Sequence, residues 1–413
     1  MTPPRAGAWP SSALVVGGGI AGLSTAYHLA RSGARVTLIE RRPGLGRGSS
    51  ALSAGILRTM LGHPGTDALA VRGSQLLRQP PPDLGDRSFV DPVGLLLVAD
   101  DATAARQLDR DVTAFAEQHP EVPIEALTQE AAQTLCPRMA QSPRVAYRFP
   151  DHGHLRVTEL LDALEAACKR LGVQIRCDTR VAELLARNSQ VTGVRLAGGE
   201  ELRADRVCLA TGGLAGELAA RCGSPLRFAP TRRHLVVAPG LPPARDQSSI
   251  LWSTGPEFYS RWSGDGWMLC SCDQQLEDPI AGLRDREEDQ DQPPFPEDRP
   301  AEAEVIGHTL AQAEKFLAGG QLSGAPPVRA WSGLRTFSSR DGEHTDPRFT
   351  LGADPLLENL FWCAGLAGHG MTCGLAAGEW TADLMLGKRS APPPSSLLWD
   401  GSPSATQNHD KQP

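Results

Sequence analysis

The chain has 413 residues, room for two or three domains of about 150 residues each. Hydrophobic residues make up 40% and charged residues 22%, which excludes collagen-like, coiled-coil and wholly disordered chains. A formal charge of −7 argues against a surface for nucleic acid or anionic membrane; of the 41 basic residues only Lys169, Lys315, Lys388 and Lys411 are lysine.

Residues 1–12 carry prolines and one arginine but no apolar signal-peptide core. The longest nearly apolar stretch, 13–23, is about half the ~20 residues that a membrane span needs, so no span is expected. Residues 13–16 are apolar, a glycine turn follows, and a helix-period stretch ends at Gly33 before a second apolar run reaches Glu40. This is the pattern of a βαβ unit. Further on, Leu160, Leu161, Leu164, Ala167, Cys168 and Leu171 follow helical spacing, and strands are expected at 173–176, 191–196 and 206–210, with Gly198-Gly199 as a turn. From 227 to 335 the pattern becomes strand-like and rich in tryptophan. The charged, proline-rich stretch 278–304 reads as a surface insertion or mobile loop. A helical run at 375–386 ends at Gly387, and the Pro/Ser-rich tail beyond it is expected to be disordered. Nine cysteines without zinc-type CxxC pairs read as reduced thiols of a cytoplasmic protein. His152 and His154 read as exposed loop residues, and no metal site is expected.

Gly17-x-Gly19-x-x-Gly22 follows a strand and opens a helix, the context in which this motif binds a dinucleotide. Gly17 allows the tight turn, Gly19 lets backbone approach a pyrophosphate, Gly22 lets helix and strand pack closely, and Ile20 and Ala21 begin the helix whose N–H groups face the phosphates. Glu40 closes the second apolar run, where a carboxylate accepts from ribose hydroxyls; Arg41 and Arg42 beside it leave NADP possible. The motif alone does not choose between FAD and NAD.

Three further segments do: 46–58 with Ser49 and Ser50, Ala210-Thr-Gly-Gly-Leu-Ala-Gly216, and Gly333-Leu-Arg-Thr-Phe-Ser-Ser-Arg-Asp-Gly342 followed by Ala364-Gly-Leu-Ala-Gly-His-Gly-Met-Thr372. With the glycine motif they resemble the D-amino-acid oxidase family of FAD-dependent oxidoreductases, which includes glycine oxidases, sarcosine oxidases and D-amino-acid dehydrogenases. The resemblance implies an α/β fold: a Rossmann-like FAD domain from 13–85, 149–224 and 329–388, an interleaved α+β substrate domain on a mixed sheet from 86–148 and 225–328, and a disordered tail from 389 to 413. It implies that Ser49, Ser50, Thr211 and Gly212 lie near the cofactor and that the Val181 backbone meets adenine. Gly365, Gly368 and Gly370 would let the chain pass the isoalloxazine, with the helix after Met371 and Thr372 aimed at it.

Amine oxidation by a flavin needs a held carboxylate, a neutral amine and a carbon poised over the flavin. In the resemblance, Arg335 holds the substrate carboxylate and Tyr259 donates to it. Arg58 matches a sarcosine-oxidase position that contacts the same group, Arg233 sits on a strand expected to face the cavity, and His369 lies in the loop near the flavin as a candidate proton acceptor. The chain departs from the family in several places. Gly333 stands where sarcosine oxidases have a cysteine bound to FAD, so dissociable FAD is expected. The lysines those enzymes carry near Met268 and Thr372 are missing, and Ala54 or Gly55 stands where D-arginine dehydrogenases carry a histidine. The expected partners are a small carboxylate-bearing amine or amino acid and an electron acceptor, O2 or a quinone-type carrier. Oxidation of a 2-hydroxy acid, a structural FAD in an assembly subunit, and an NAD(P) dehydrogenase are the alternatives.

Overall fold

The computed structural model describes residues 12–238, 249–277, 298–319 and 326–398, with Phe295, Leu322 and Gly324. The chain divides into two compact units, Met1–Arg47 with Leu161–Ala229 and Thr336–Pro413, and Gly48–Leu160 with Pro230–Arg335.

The first unit is built on a six-stranded sheet in the order Thr350–Ala353, Leu360–Ala364, Arg206–Leu209, Ser12–Val16, Arg35–Ile39, Gln174–Arg176. All its pairings are parallel except the outermost, between Thr350–Ala353 and Leu360–Ala364. Its strands read as unbroken apolar runs because both faces are covered: Leu14, Val15, Val16, Val207, Cys208 and Leu209 are all buried. Ser12–Val16 lies between the strand that follows it, Arg35–Ile39, and the much later Arg206–Leu209, so the strand order reverses beside it; ligands of open α/β sheets bind outside the strand ends at such a point. A three-stranded antiparallel sheet, Val181–Arg187, Gln190–Leu196 and Glu201–Arg203, accompanies it. Its third strand follows the Gly198-Gly199 turn and was not expected, since its Glu-Leu-Arg sequence carries no apolar run.

The second unit holds a nine-stranded mixed sheet. Arg329–Ser339 pairs with Arg227–Ala238, followed by Trp267–Cys270, Phe258–Trp262, Ile250–Ser253, Leu95–Ala99, Val145–Phe149 and Glu125–Ala126, while Gln275–Leu276 pairs with Arg227–Ala238 on its other side. Period-two alternation sorts the side chains of this sheet. Leu96, Val98, Val236, Leu251 and Leu269 pack with Leu310, Ala313 and Phe316 of the helix Ala303–Phe316, whereas Leu235, Val237, Tyr259, Met268 and Cys270 make a separate cluster. The α/β class with a mixed-sheet second part is as expected.

Several expectations need correction. Residues 48–85 and 149–160 pack in the second unit rather than the first: Leu57 N–H donates to the Gly153 carbonyl, Leu155 N–H to that of Gly55, and Met60 and Val71 share a core with Leu95 and Leu97. The first part of the expected disordered tail is ordered. Phe349 N–H donates to the Ser395 carbonyl (2.7 Å), Leu397 N–H to that of Phe349 (2.6 Å), and Ser396 is buried with its hydroxyl bonded to Leu351, so 395–397 runs beside a sheet strand whose free edge needed partners. Residues 399–413 and most of the charged segment 278–304 lie outside the described residues. No described helix is long and apolar enough to cross a membrane.

His152 is not exposed. Its ring stacks on Phe149 at 4.8 Å, its Nε2 lies 2.9 Å from the Thr59 hydroxyl, and burial, reinforced by the charges of Arg58 and Arg78, lowers its pKa to about 3. Phe149 stacks on the ring from three residues earlier, and the Thr59 hydroxyl reaches it from 93 residues away, a contact that leaves no mark on Asp-His-Gly-His itself. His152 is therefore neutral when folded, but protonates near pH 6.5 once unfolded. Its contribution to stability is complete above pH 6.5 and is lost as pH falls towards 3. Unfolding free energies from urea titrations between pH 7 and 4 should fall more steeply for the wild type than for His152→Phe, with a difference approaching ~1.4 kcal/mol per pH unit; parallel curves would contradict the burial of a neutral ring.

Candidate active site

Two separate constellations carry chemistry, one in each unit. In the first unit, Ser12–Val16 ends at Gly17, whose φ of +106° and lack of a side chain let it pass the next strand: a Cβ there would sit 2.4 Å from the Ala210 carbonyl oxygen. A Cβ at Gly22 would sit 1.8 Å from the Gly17 oxygen. Gly19 caps the helix Ile20–Arg31, which has no acidic residue in its first turn and no side-chain cap. The helix Gly370–Met385, capped by His369, has the same two features. The two helices run side by side in the same direction, because a Cβ at Gly374 would meet Ile20 at 2.5 Å and one at Gly378 would meet the Ser24 hydroxyl at 2.2 Å. Two uncapped N-terminal ends thus lie together, with the positive ends of both dipoles adding. The Glu40 carboxylate accepts from Gly18 N–H (2.6 Å) and Arg42 N–H (2.8 Å), one bond to each oxygen, which fixes it at the strand end with acceptor capacity to spare.

In the second unit, arginines gather on the face that carries the Tyr259 cluster. Arg233 stands on the same face of its strand as Leu235 and Val237. Its Nε donates to the backbone oxygen of Asp273 (2.7 Å), and its Nη2 is buried without a hydrogen-bond partner among the described residues. Burial disfavours its charge, yet the thiols of Cys270 and Cys272, Tyr259 and Asp273 outweigh that and raise its pKa. Burial, and then the like charge of Arg233, lower Arg335 to about 10, so it stays protonated through the neutral range. Burial raises Tyr259 well above the usual phenol, which keeps its O–H as a donor. Burial opposes ionisation of Cys270 too, but the hydrogen bond from Cys272 and the charge of Arg233 win and lower it. Trp252 stacks on Tyr259 with ring centres 4.5 Å apart, and the Arg58 guanidinium lies 4.4 Å from the Trp252 ring centre. The strand Trp267–Cys270 ends at Cys270, and Cys272, with φ +56°, lies beyond it with its N–H donating to the Cys270 sulfur at 3.3 Å.

Set against known proteins, the sequence pattern of the DAO family, FAD dependent oxidoreductase, matches residues 12–384. The chain belongs to this family. FAD is accordingly its cofactor, and the protein is an oxidoreductase. It is 30% identical over 241 residues to a glycine oxidase of Pseudomonas aeruginosa, covering 54% of this chain and 61% of that one. It is also 30% identical over 389 residues to 4-methylaminobutanoate oxidase (formaldehyde-forming) of Paenarthrobacter nicotinovorans, covering 90% of this chain and 43% of the relative. The chain thus spans about half the length of these two relatives. Among solved structures, glycine oxidase from Geobacillus kaustophilus matches with a TM-score of 0.76 at 23% identity, over 95% of this chain and 99% of that one.

The first unit fits FAD on its own evidence. The glycine cradle excludes any side chain, and the Thr211 hydroxyl beside Gly17 is buried with no partner among the described residues, an orphan that a bound acceptor would satisfy. Gly17, Gly19, Ile20, Ala21, Gly22, Glu40, Arg41, Val181, Thr211, Gly212, Gly365, Gly368, Gly370, Met371 and Thr372 all belong to this unit. Ser49 and Ser50, expected with them, belong to the second unit. Arg58, Arg233, Arg335 and Tyr259 are together in the second unit. His369 belongs to the first unit, where it caps a helix, its carbonyl accepting from Cys373 N–H and its amide donating to Leu366. Sequence reasoning missed the stacking of Trp252 between Tyr259 and Arg58; the alternation of Ile250–Ser253, with Leu251 on the opposite face, was the available signal.

Gly17→Ala should cost about 1–3 kcal/mol of backbone strain and displace the Ala210 carbonyl. The purified variant should show a lower Tm and a flavin-to-protein absorbance ratio well below wild type. Gly33→Ala, strained at φ +89° but with open space around it, should lower Tm and leave that ratio unchanged. Full flavin retention in Gly17→Ala would contradict the cradle.

Proposed function

We propose that this protein oxidises the C–N bond of a small amino acid or secondary amine that carries a carboxylate, giving an imine that hydrolyses. The observation that carries this reading is the buried Arg233 Nη2, a cationic donor left without an acceptor among the described residues, in the cluster of Arg335 and Tyr259. A buried guanidinium N–H without an acceptor is costly unless a ligand pairs with it, and a carboxylate is the group that matches the planar fork. The names of the relatives, glycine oxidase and 4-methylaminobutanoate oxidase, share an amine and a carboxylate on one small molecule.

In this reading Arg335 holds the carboxylate through two parallel hydrogen bonds, and the Tyr259 O–H donates to the same group. Arg233 contributes a further N–H. The same cations act on the amine, since two positive charges nearby disfavour the ammonium and favour the neutral amine that oxidation requires. No strong protein base is then needed. Gly17, Gly22, Thr211 and Glu40, with the two helix N-termini, would hold FAD, which supplies a two-electron acceptor when bound. Gly333 offers no side chain for a covalent link, so FAD is dissociable. The free state of all nine cysteines supports a cytoplasmic setting.

Anaerobic mixing with glycine, sarcosine, imino acids, amino acids of both configurations and 2-hydroxy acids should bleach the flavin with amines alone; bleaching by hydroxy acids alone would replace the reading. Reoxidation in air then tells whether O2 or another carrier accepts the electrons. Arg335→Ala should raise KM about 10- to 100-fold with its flavin spectrum intact. An unchanged KM would remove Arg335 from the carboxylate contact.

A further inference from the structure

Arg233 stands opposite an interruption in its sheet. On the edge of Arg227–Ala238 away from Arg329–Ser339, Val236 pairs with Leu269 and Arg232 with Gln275, so three residues, 233–235, face five, 270–274. The ladder resumes beyond them, where Glu277 N–H donates to the Pro230 carbonyl (2.9 Å). Extra residues of this kind form a bulge, which bends the strand and re-aims the groups beside it.

The bulged segment is tied down residue by residue. Cys272, at φ +56°, donates its N–H to the Cys270 sulfur (3.3 Å), and the Ser271 hydroxyl lies 2.8 Å from that of Thr309 on the helix Ala303–Phe316. The His234 N–H, which a regular ladder would pair with a carbonyl, is taken instead by one carboxylate oxygen of Asp273 (3.1 Å), and the other oxygen lies 2.7 Å from the ring Nδ1 of the same buried histidine. Asp273 thereby reaches both faces of the sheet. Its carboxylate holds His234, which alternates onto the face of Val236, while its carbonyl accepts from Arg233 Nε (2.7 Å) on the face of Leu235 and Tyr259.

One bond at Nε constrains a whole guanidinium. The group is planar, so an acceptor fixed at Nε also sets the plane in which the Nη N–H groups point. The rotamer freedom of a long side chain is then lost on folding and not on binding. Arg233 Nη2, buried with no partner among the described residues, is a donor aimed in this way.

Resting on the amine-oxidation reading above, we propose that Asp273 and His234 are positioning residues: through the bulge they hold Arg233 in the orientation that meets the substrate carboxylate, without touching the substrate themselves.

The test uses the FAD-loaded full chain and whichever amine among glycine, sarcosine and the imino acids bleaches the flavin, in a double-mutant cycle of Asp273→Ala with Arg233→Ala. Each single variant should raise KM about tenfold, with kcat within about twofold of wild type and flavin content retained. The double variant should raise KM no further than Arg233→Ala alone, because Asp273 acts through that side chain. A merely structural role would instead multiply the two factors, or lower kcat and flavin content together; either result overturns the positioning, as does an unchanged KM in Asp273→Ala. Should Asp273→Ala fail to fold, Asp273→Asn, which keeps the side-chain volume and an oxygen for the His234 N–H, enters the same cycle with an expected factor of about threefold. Bleaching by no amine would overturn both readings, whereas bleaching with a flat KM overturns the positioning alone.

Discussion

The first unit depends on the contact between two helices from opposite ends of the chain. Ile20–Arg31 and Gly370–Met385 approach so closely that Gly374 and Gly378 have no room for a methyl group against Ile20 and Ser24. The Ser24 hydroxyl donates to the Leu375 carbonyl at 3.2 Å across the same seam. Backbone packing of this kind sets the relative height of the two helices to within about one residue's rise. That register puts the two N-termini within about one turn of each other. A dinucleotide cradle built from three separated stretches of chain needs such a fixed point, since loops alone would not hold two dipoles together.

In the second unit the alternation of a single strand divides structure from chemistry. Arg232 and Arg233 are neighbours on Arg227–Ala238 and point to opposite faces. Arg232 is buried, paired with Glu277 and bonded to the Ser332 hydroxyl at 2.7 Å, so its charge is answered inside the fold. Arg233 has a backbone carbonyl and an unfilled donor. Two residues of one type, adjacent in the chain, differ because one faces a carboxylate and the other faces Tyr259 and two thiols. Composition cannot express this difference. Period-two geometry does.

The βαβ unit and its cofactor class were legible because every step is local: an apolar run, three glycines, a helix and an acid follow one another in register between Ala13 and Glu40. The arginines were legible as candidates only through their resemblance to family motifs, and the structure adds that Arg58 Nε and Arg233 Nη2 are buried donors without an acceptor among the described residues. What stayed hidden depends on contacts distant in sequence. The burial of His152 comes from Phe149 and from Thr59, 93 residues away. The ordered tail at 395–397 needs the edge of a strand 45 residues earlier. The allocation of Ser49 and Ser50 to the second unit follows from hydrogen bonds joining 55–57 to 153–155. None of these leaves a periodic trace in the segment concerned.

The scarcity of lysine has a chemical counterpart at the candidate site. A lysine ammonium is compact and strongly hydrated, and burial readily strips its proton; a guanidinium spreads its charge and remains protonated even where burial and a like charge act together, as at Arg335. Three cations can therefore share one enclosed face only if they are arginines. Stacking on Trp252 also gives Arg58 a partner that does not consume its N–H groups. A cluster of this kind costs the free protein stability, because each unmatched buried donor forgoes a bond to water. That cost is removed when an anion arrives. The free-energy difference between the empty and filled cluster is then available for holding the substrate in place.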